Sequence, residues 1–383
     1  MALDLLLDEK RPAGRRAATA SALPAASGVD LEDLTVYRGR ATLLSHLHLA
    51  IRPGEIFALV GPAGSGKSAA LHAVAGTVRP GIGRVKIGDR DVTDRRAGSR
   101  GVALVTRDPA LSPRLRVDEN VALGLRSLRL PRVVARDRIE ESLHLVGMQD
   151  HLHRTPGALS ASQQLLVALA RAVASQPQVL VLDQPLAALD HSVRRDLLDE
   201  VRLIHRARPG LTMLYAAADP AEALTLADRI AVLREGRLVS FGPAQDLYRR
   251  PPNRFTAEFL GRANLLEVTI ESHASDSLVK ARFGESELLV RDHPTLGRGN
   301  RCLLCIRPHD LSLGSPMGAT NTLRGTVRAA VWQGEQQQIT LDLAGTILRA
   351  ITAPMSAPPA PGTVLDLHFQ PAQGVLIPAE LSH

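Results

Sequence analysis

One short segment constrains the fold of this chain more than any other feature. Residues 61–68 read Gly-Pro-Ala-Gly-Ser-Gly-Lys-Ser and satisfy the pattern G-x-x-x-x-G-K-[ST]. A strand-like apolar run, Ile56–Val60, stands before the segment, and a helix-like run that starts near Ala69 follows it. This order predicts a phosphate-binding loop that connects a buried strand to a helix. A glycine-rich turn that contains a lysine by chance would require neither the strand before it nor the helix after it.

The residue types in the loop indicate a nucleoside triphosphate as the ligand. Its glycines let successive backbone N–H groups curl around an anion, and the helix that follows presents its positive N-terminal end. Lys67 supplies a positive charge for the β- and γ-phosphates, and Ser68 supplies a hydroxyl for Mg²⁺. The predicted nucleotide contacts are Gly61, Pro62, Ala63, Gly64, Ser65, Gly66, Lys67, Ser68 and Ala69.

Composition and charge limit the classes of protein to consider. With 383 residues, 45% of them hydrophobic and 22% charged, the chain can form two or three globular domains. Its net charge of +7 suggests nucleic acid or an anionic membrane surface as a partner. However, Arg and Lys are interleaved with Asp and Glu, and no aromatic–basic platform accompanies them. We therefore expect no nucleic-acid partner.

No segment of the sequence is predicted to cross a membrane. No stretch approaches the roughly eighteen consecutive apolar residues that a spanning helix needs. The apolar run at residues 3–7 is short and flanked by acidic residues, unlike a secretory signal. These features predict a cytoplasmic location.

Two cysteines form a lone C-x-x-C pair at Cys302 and Cys305. A zinc site would need a second pair or histidines at ligand spacing, and a redox site would need a helix N-terminus. Because the surrounding segment resembles a buried strand, we interpret both residues as structural.

Hydrophobic periodicity divides the chain into regions. Strand-like and helix-like patterns alternate to about residue 240, which predicts an α/β core with parallel strands. Residues 117–175 have helical spacing and are predicted to form a helical insertion. Short alternating runs beyond Gly261 predict a small β-barrel or sandwich. The predicted division is a flexible arm at 1–28, a nucleotide-binding domain at 29–242 with a helical subdomain at about 107–177, a linker at 243–261 and a β domain at 262–383.

Further motifs follow the phosphate loop in a fixed order. Val179–Asp183 is strand-like and ends in a carboxylate, the metal-side partner that such a loop requires. Leu-Ser-Ala-Ser-Gln-Gln occupies 159–164, and Leu-Ala-Ala-Leu-Asp occupies 186–190. This order resembles the ATP-binding cassette (ABC) family. Ile-Arg-Pro-His-Asp-Leu at 306–311 is similar to the C-terminal OB-like (TOBE) domains of import cassettes for sulfate, iron, polyamines and sugars.

The resemblance implies a P-loop NTPase core with a helical subdomain, followed by a small all-β OB-like domain. It also implies ATP and Mg²⁺ as ligands. Two cassettes would sandwich two ATP molecules on the inner face of the cell membrane, beneath permease subunits served by an extracytoplasmic solute-binding protein. The implied metal residues are Ser68 and Asp183, and Tyr37 would stack on adenine. The implied signature and dimer residues are Ser160, Ala161, Ser162, Gln163 and Asp190.

The chain departs from the family pattern at positions that govern hydrolysis. Gln184 occupies the position of the glutamate that polarises the attacking water, and an amide cannot accept its proton. Ala218 replaces the switch histidine, and Arg107 replaces the glutamine that links Mg²⁺ to the helical subdomain. Ala161 and Ser162 replace the two signature glycines. These departures predict ATP binding with strongly reduced hydrolysis.

Two functions remain open at this point. One is the energy-coupling subunit of an importer, with slow or impaired hydrolysis. The other is a hydrolysis-deficient regulatory or structural cassette paired with an intact ATPase subunit.

Overall fold

The computed structural model of the chain describes residues 26–275, 277–313 and 321–379. Most of the predicted arm at 1–28 lies outside these residues. The helices are α1 (Lys67–Ala75), α2 (Val117–Leu123), α3 (Arg132–Leu145), α4 (Ala161–Ala174), α5 (His191–Ala207), α6 (Pro220–Leu226), α7 (Ala244–Arg249) and α8 (Arg254–Gly261).

Strands precede, alternate with and follow these helices. Those of the N-terminal part are β1 (Val29–Arg38), β2 (Ala41–Ile51), β3 (Ile56–Val60), β4 (Ile82–Ile87), β5 (Arg90–Asp91), β6 (Val102–Thr106), β7 (Val179–Asp183), β8 (Thr212–Ala216), β9 (Arg229–Arg234) and β10 (Arg237–Pro243). Those of the C-terminal part are β11 (Asn264–Ser275), β12 (Leu278–Phe283), β13 (Ser286–Arg291), β14 (Arg301–Ile306), β15 (Ser312–Leu313), β16 (Asn321–Trp332), β17 (Gln337–Leu343), β18 (Thr346–Thr352), β19 (Val364–Phe369) and β20 (Val375–Pro378).

The central sheet of the N-terminal part has six strands in the order β10-β9-β3-β8-β7-β6. Strands β3, β6, β7, β8 and β9 run parallel, and β10 joins the edge antiparallel to β9. The inner strands β3 and β8 are buried along their whole length. Continuous apolar runs of this kind belong to a parallel sheet that is covered on both faces. The predicted α/β class is confirmed.

Two hydrophobic clusters cover the two faces of the central sheet. On one face, α1 packs through Ala70, Leu71 and Val74 under a second, antiparallel sheet of order β2-β1-β4-β5. On the other face, α4 packs through Leu169 and Val173, together with the helices that surround it. As a result, α1 lies inside the molecule, and the loop before it opens at the carboxyl edge of the sheet.

The helical insertion consists of α2, α3 and α4. The N-terminus of α2 has acidic residues in its first turn, and Glu119 accepts the backbone N–H of Arg116, which satisfies one exposed amide. Asn120 is fully buried and holds the preceding loop through bonds to the carbonyls of Ser112, Leu115 and Arg116. These hydrogen bonds hold the start of the helical insertion next to the end of β6.

The segment predicted as a linker, 243–261, folds into helices α7 and α8. Leu247 and Leu260 are buried in the cluster that covers the central sheet. Asn253 caps α8 by accepting the backbone N–H of Thr256 at 2.9 Å. The segment therefore packs on the core and leads directly into β11.

The C-terminal part is all-β, as predicted. Its two five-stranded antiparallel sheets have the orders β13-β12-β11-β14-β20 and β15-β19-β16-β17-β18, and they enclose one hydrophobic cluster. Cys302 and Cys305 lie in β14 as free, buried thiols, and burial raises the pKa of each to about 11. That environment supports the structural interpretation. No helix within the described residues is long and apolar enough to cross a membrane.

Candidate nucleotide-binding site

The phosphate loop lies between the end of β3 and the start of α1, where the sequence predicts it. Gly61 and Gly66 have φ values of 151° and 96°. A Cβ atom on Gly61 would lie 2.1 Å from the carbonyl oxygen of Leu233, and one on Gly66 would lie 2.7 Å from that of Leu43. Only glycine fits at these two positions, because neighbouring backbone closes on both.

Lys67 is buried and folds back over its own loop. Its Nζ donates to the carbonyls of Gly61 at 2.6 Å and Pro62 at 2.9 Å, and it lies 3.3 Å from Ser65 Oγ. Burial lowers the pKa of Lys67, and the nearby carboxylate of Asp183 partly opposes that shift. The ammonium group therefore stands in the cradle where a phosphate group needs a counter-charge.

The carboxyl end of β7 brings Asp183 to the start of α1. Ser68 Oγ donates to Asp183 Oδ1 at 2.9 Å, so the two predicted metal residues are in direct contact. Hydroxyl and carboxylate oxygens are the donor types that Mg²⁺ prefers. This pair fits a cation that would also contact phosphate oxygens.

His72 is a member of this site that sequence reasoning missed. Its Nε2 lies 3.2 Å from Asp183 Oδ2, and its Nδ1 lies 2.7 Å from Thr77 Oγ1. The available signal was its spacing, since residues four apart on a helix share a face and His72 follows Ser68 by one turn.

Gln184 follows Asp183 directly and faces the neighbouring strand β8. Its backbone N–H donates to the carbonyl of Ala216 at 3.1 Å. Its φ of 49° lies in the left-handed region, which costs a non-glycine residue about 1–2 kcal/mol. Ala218, two residues beyond Ala216, is exposed. The structure therefore brings the two altered positions to adjacent strand ends.

Arg107 lies exposed in the loop after β6, and its side chain has no partner among the described residues. The same loop is tied to the helical insertion by Arg171 of α4, which donates to the carbonyls of Pro109 at 2.6 Å and Ala110 at 3.0 Å. Burial lowers the pKa of Arg171. Sequence reasoning did not identify Arg171 as the link between loop and insertion.

Comparisons with known proteins agree with this geometry. The family model described as ABC transporter matches residues 44–187, and the model described as TOBE domain matches 304–377. The chain is 42% identical over 352 residues to the putative 2-aminoethylphosphonate import ATP-binding protein PhnT of Salmonella typhimurium, covering 92% of this chain and 95% of that protein.

The chain belongs to the ABC transporter family. It is the ATP-binding subunit of an import transporter and carries a C-terminal TOBE domain.

More distant relatives and a solved structure agree with this assignment. The spermidine/putrescine import ATP-binding protein PotA of Thermobifida fusca is 35% identical over 339 residues, which cover 87% of this chain and 88% of that protein. The Fe(3+) ions import ATP-binding protein FbpC of Agrobacterium fabrum is 39% identical over 282 residues, which cover 73% and 78%. A nucleotide-free ATP-binding cassette from an ABC transporter shares the fold at a TM-score of 0.52 and 22% identity, covering 57% of this chain and 91% of that chain.

The segment predicted as the signature of this ABC subunit, residues 160–163, begins α4. Ser160 is the N-cap residue, and its Oγ accepts the backbone N–H of Gln163 at 3.2 Å while Gln163 Oε1 accepts the backbone N–H of Ser160 at 3.0 Å. Ser160 Oγ also lies 2.8 Å from Ser162 Oγ, and Ala161 opens the helix. Within one copy of the described chain, none of these side chains forms a hydrogen bond to the phosphate loop.

Asp190 and Tyr37 of the ABC subunit lie at exposed positions. Asp190 is the N-cap residue of α5, and its side chain forms no capping bond. Tyr37 is the penultimate residue of β1, pairs with Thr42 and is 45% exposed, with its ring against Gly81. The hairpin that carries Tyr37 touches the phosphate loop through Leu43 of β2.

A buried polar network behind Ala218 was also missed from the sequence. Tyr215 donates its hydroxyl to Glu222 Oε2 at 2.7 Å, while Glu222 Oε1 has no hydrogen-bond partner and lies 3.9 Å from Arg194. Arg194 in turn donates to the carbonyl of Leu189 at 3.0 Å. Burial raises the pKa of Glu222, although Tyr215 and Arg194 oppose the shift. The network joins residues 215–222 to the loop that ends at Asp190.

Proposed function

We propose that this import subunit binds ATP with Mg²⁺ at residues 61–69 and hydrolyses it slowly. The observation that carries the proposal is the contrast within one site. Lys67 supplies a cation for phosphate, and Ser68 and Asp183 supply oxygen donors for a metal, whereas Gln184 and Ala218 offer no proton acceptor at the hydrolytic position. The oxygen donors of Ser68 and Asp183 support Mg²⁺ as the bound cation.

The expected size of the hydrolytic defect follows from the missing general base. General acid–base catalysis contributes about 10²–10⁴-fold to a rate. Gln184 can orient a water molecule by hydrogen bonding, but its amide does not take up a proton at neutral pH. Arg107 adds to the defect, because a guanidinium has no lone pair with which to contact a cation.

We propose that two cassettes act together. Ser160, Gln163 and Asp190 are exposed or half-buried at helix N-termini, positions from which a second cassette could be contacted. In this arrangement the nucleotide-binding domain at 29–242 engages membrane permease subunits, and the β domain at 262–383 extends beyond it after the segment 243–261. The complex would lie on the inner face of the cell membrane and receive solute from an extracytoplasmic binding protein.

For the solute we propose 2-aminoethylphosphonate or a related phosphonate. Support comes from the higher identity, 42%, to the putative 2-aminoethylphosphonate import protein than to the polyamine and iron import proteins, at 35% and 39%. Deletion of the gene should abolish growth on 2-aminoethylphosphonate as the sole phosphorus source but leave growth on phosphate intact. Unchanged growth on the phosphonate would contradict this solute.

The second candidate is a cassette without hydrolytic function, paired with an intact ATPase subunit. The observation in its favour is that Gln184, Ala218 and the altered signature at Ala161 and Ser162 lie in the same chain. In any dimer, one site then receives the altered switch residues and the other receives the altered signature. No partner cassette could restore two standard sites.

The test compares the wild type with the double variant Gln184→Glu with Ala218→His. We expect both proteins to bind Mg-ATP with similar affinity, measured by titration with a fluorescent ATP analogue. Phosphate release by the double variant should be at least about 100-fold faster, the lower end of the range for general-base catalysis. Equal and rapid release by both proteins would contradict slow hydrolysis. Wild-type release that stays at background even with permease present would favour the second candidate.

A further inference from the structure

A large cavity lies away from the nucleotide site, where the cassette meets the β domain. Its volume is about 780 Å³, within the range of about 300–1,000 Å³ that is typical of small-molecule sites. Helices α6 and α7 form one wall, and the ends of β13 and β14 form the other. A ligand in this cavity would contact both parts of the chain at once.

The lining of the cavity is strongly basic. Arg249 and Arg250 come from the cassette side, and Arg291 and Arg307 come from the β domain. Asp310 is the only carboxylate among the described residues that line the cavity, and it already accepts a hydrogen bond from Gln373 at 3.2 Å. Within the described residues, no carboxylate lies within ion-pair distance of any of the four guanidinium groups. Like charges around one cavity repel one another unless an anion lies between them.

Arg307 supplies an independent observation, because its cationic side chain is buried without a counter-ion. It is 5% exposed, it donates two hydrogen bonds, to the carbonyls of Ala257 and Tyr248, and its guanidinium carbon lies 4.1 Å from the centroid of the Tyr248 ring. Arg100 is equally buried, at 4%, but its guanidinium donates four bonds to backbone carbonyls. Buried charges in proteins are normally paired or fully hydrogen-bonded. Arg307 therefore retains unused donors beside the cavity.

We propose that this cavity binds a doubly charged tetrahedral oxyanion, a phosphate or phosphonate group, and that the bound anion holds the β domain against α7. Guanidinium groups donate paired, charge-assisted hydrogen bonds that match the oxygens of such a group. Arg249 and Arg250 would approach it from the cassette, and Arg291 and Arg307 from the β domain. The anion would replace repulsion between the two walls with attraction.

The surroundings leave space for an organic substituent on the anion. A neighbouring cavity of about 990 Å³ shares Arg250 and Arg291 with the first one, so these two arginines stand where the two cavities adjoin. Its further lining includes Pro251, Pro252 and Leu278, which provide apolar surface. Inorganic phosphate and an alkyl phosphonate are therefore both suitable probes of the site.

The test is calorimetric titration of the full chain with inorganic phosphate, and separately with methylphosphonate. A non-hydrolysable ATP analogue with Mg²⁺ is kept at saturation, so that the phosphate loop cannot contribute. We expect saturable binding of one anion, and about tenfold weaker binding for each of Arg250→Gln and Arg291→Gln, the loss of one charge-assisted contact. Both residues are exposed, so these variants should fold.

The matched control is Arg298→Gln, since Arg298 is an exposed β-domain arginine that does not line the cavity. It should bind phosphate as the wild type does. Thermal unfolding gives a second readout, in which phosphate should raise the midpoint of the wild type and of Arg298→Gln but not that of the combined Arg250→Gln with Arg291→Gln variant. The proposal would be overturned if phosphate showed no saturable binding, or if the wild type and the combined variant bound it equally. It would also be overturned if chloride at matched ionic strength raised the unfolding midpoint as much as phosphate does.

Discussion

The two halves of the nucleotide site differ in how their side chains are held. On the phosphate side, Lys67, Ser68 and Asp183 are tied to one another or to the loop by bonds of 2.6–2.9 Å. On the side predicted to act in hydrolysis, the side chains of Gln184 and Arg107 have no hydrogen-bond partner among the described residues. The methyl group of Ala218 cannot form a hydrogen bond. The side chains predicted to hold phosphate and metal are therefore fixed by hydrogen bonds, whereas those at the positions predicted to act in hydrolysis are not.

The largest expected effect is on the phosphate side. Substitution Lys67→Ala removes the one cationic side chain that the loop holds in its cradle, and affinity for Mg-ATP should fall about 100-fold, as for loss of a strong charged contact. The measurement is nucleotide titration by fluorescence. The control is Lys86→Ala, which removes a lysine paired with Glu32 at the surface and should leave affinity unchanged. Undiminished binding by Lys67→Ala would contradict the assignment of the phosphate loop, because it would place the nucleotide elsewhere.

A smaller effect is expected from the signature segment. In the Gln184→Glu, Ala218→His background, adding Ala161→Gly and Ser162→Gly should raise the hydrolysis rate about tenfold, or about 1.4 kcal/mol of barrier. The reason is that Ser160 loses its bond to Ser162 Oγ and the backbone can approach phosphate more closely.

The same double substitution should cost stability, about 1–2 kcal/mol, because each glycine weakens the first turn of α4. Denaturant unfolding measures this cost. Ala135→Gly in α3 is the control, since it should lower stability without changing the rate. A rate that stays constant while stability falls would show that the signature substitutions are neutral for hydrolysis.

The smallest effect concerns pH and the network behind Ala218. Burial raises the pKa of Glu222, so folding disfavours its ionised form. The stability linked to this group is therefore present below the unfolded pKa and is lost as pH rises through the folded pKa. We expect the free energy of unfolding of the wild type to fall relative to that of Glu222→Gln. The fall should occur as pH rises from the ordinary pKa of a glutamate to the higher pKa of Glu222 in the folded chain.

Urea denaturation at a series of pH values measures the difference between these two proteins. Glu285→Gln is the control, because Glu285 is exposed and has no partner within the described residues. If the difference in free energy of unfolding between wild type and Glu222→Gln did not change with pH, Tyr215 and Arg194 would fully offset the effect of burial on the pKa of Glu222.

Much of the fold was predictable from local patterns. Strands β3 and β7 were expected over the residues that form them, because each is a continuous apolar run bounded by a glycine or a carboxylate. The helical insertion and the all-β C-terminal part were likewise expected from periodicity. The helices α7 and α8 were missed, because two consecutive prolines, Pro251 and Pro252, made the segment resemble a linker although they only separate two short helices.

The site was predictable where a motif specifies it and not where distant residues meet. The loop at 61–68 and Asp183 are recognisable from residue order alone. The contact of His72 with Asp183 joins residues 111 positions apart, and that of Arg307 with Ala257 joins residues 50 apart. The only local signal for the first contact is the one-turn spacing of His72 from Ser68, and the second contact leaves none. Both contacts depend on how distant elements pack, β7 beside α1 and α8 beside β14.

The most direct test of the central claim is to identify the nucleotide that stays bound. Wild type and the single variant Gln184→Glu are incubated with Mg-ATP, freed of unbound nucleotide, denatured, and analysed by chromatography. We expect the wild type to retain ATP over a period in which Gln184→Glu converts its bound nucleotide to ADP. Recovery of ADP from both proteins at the same rate would contradict the account.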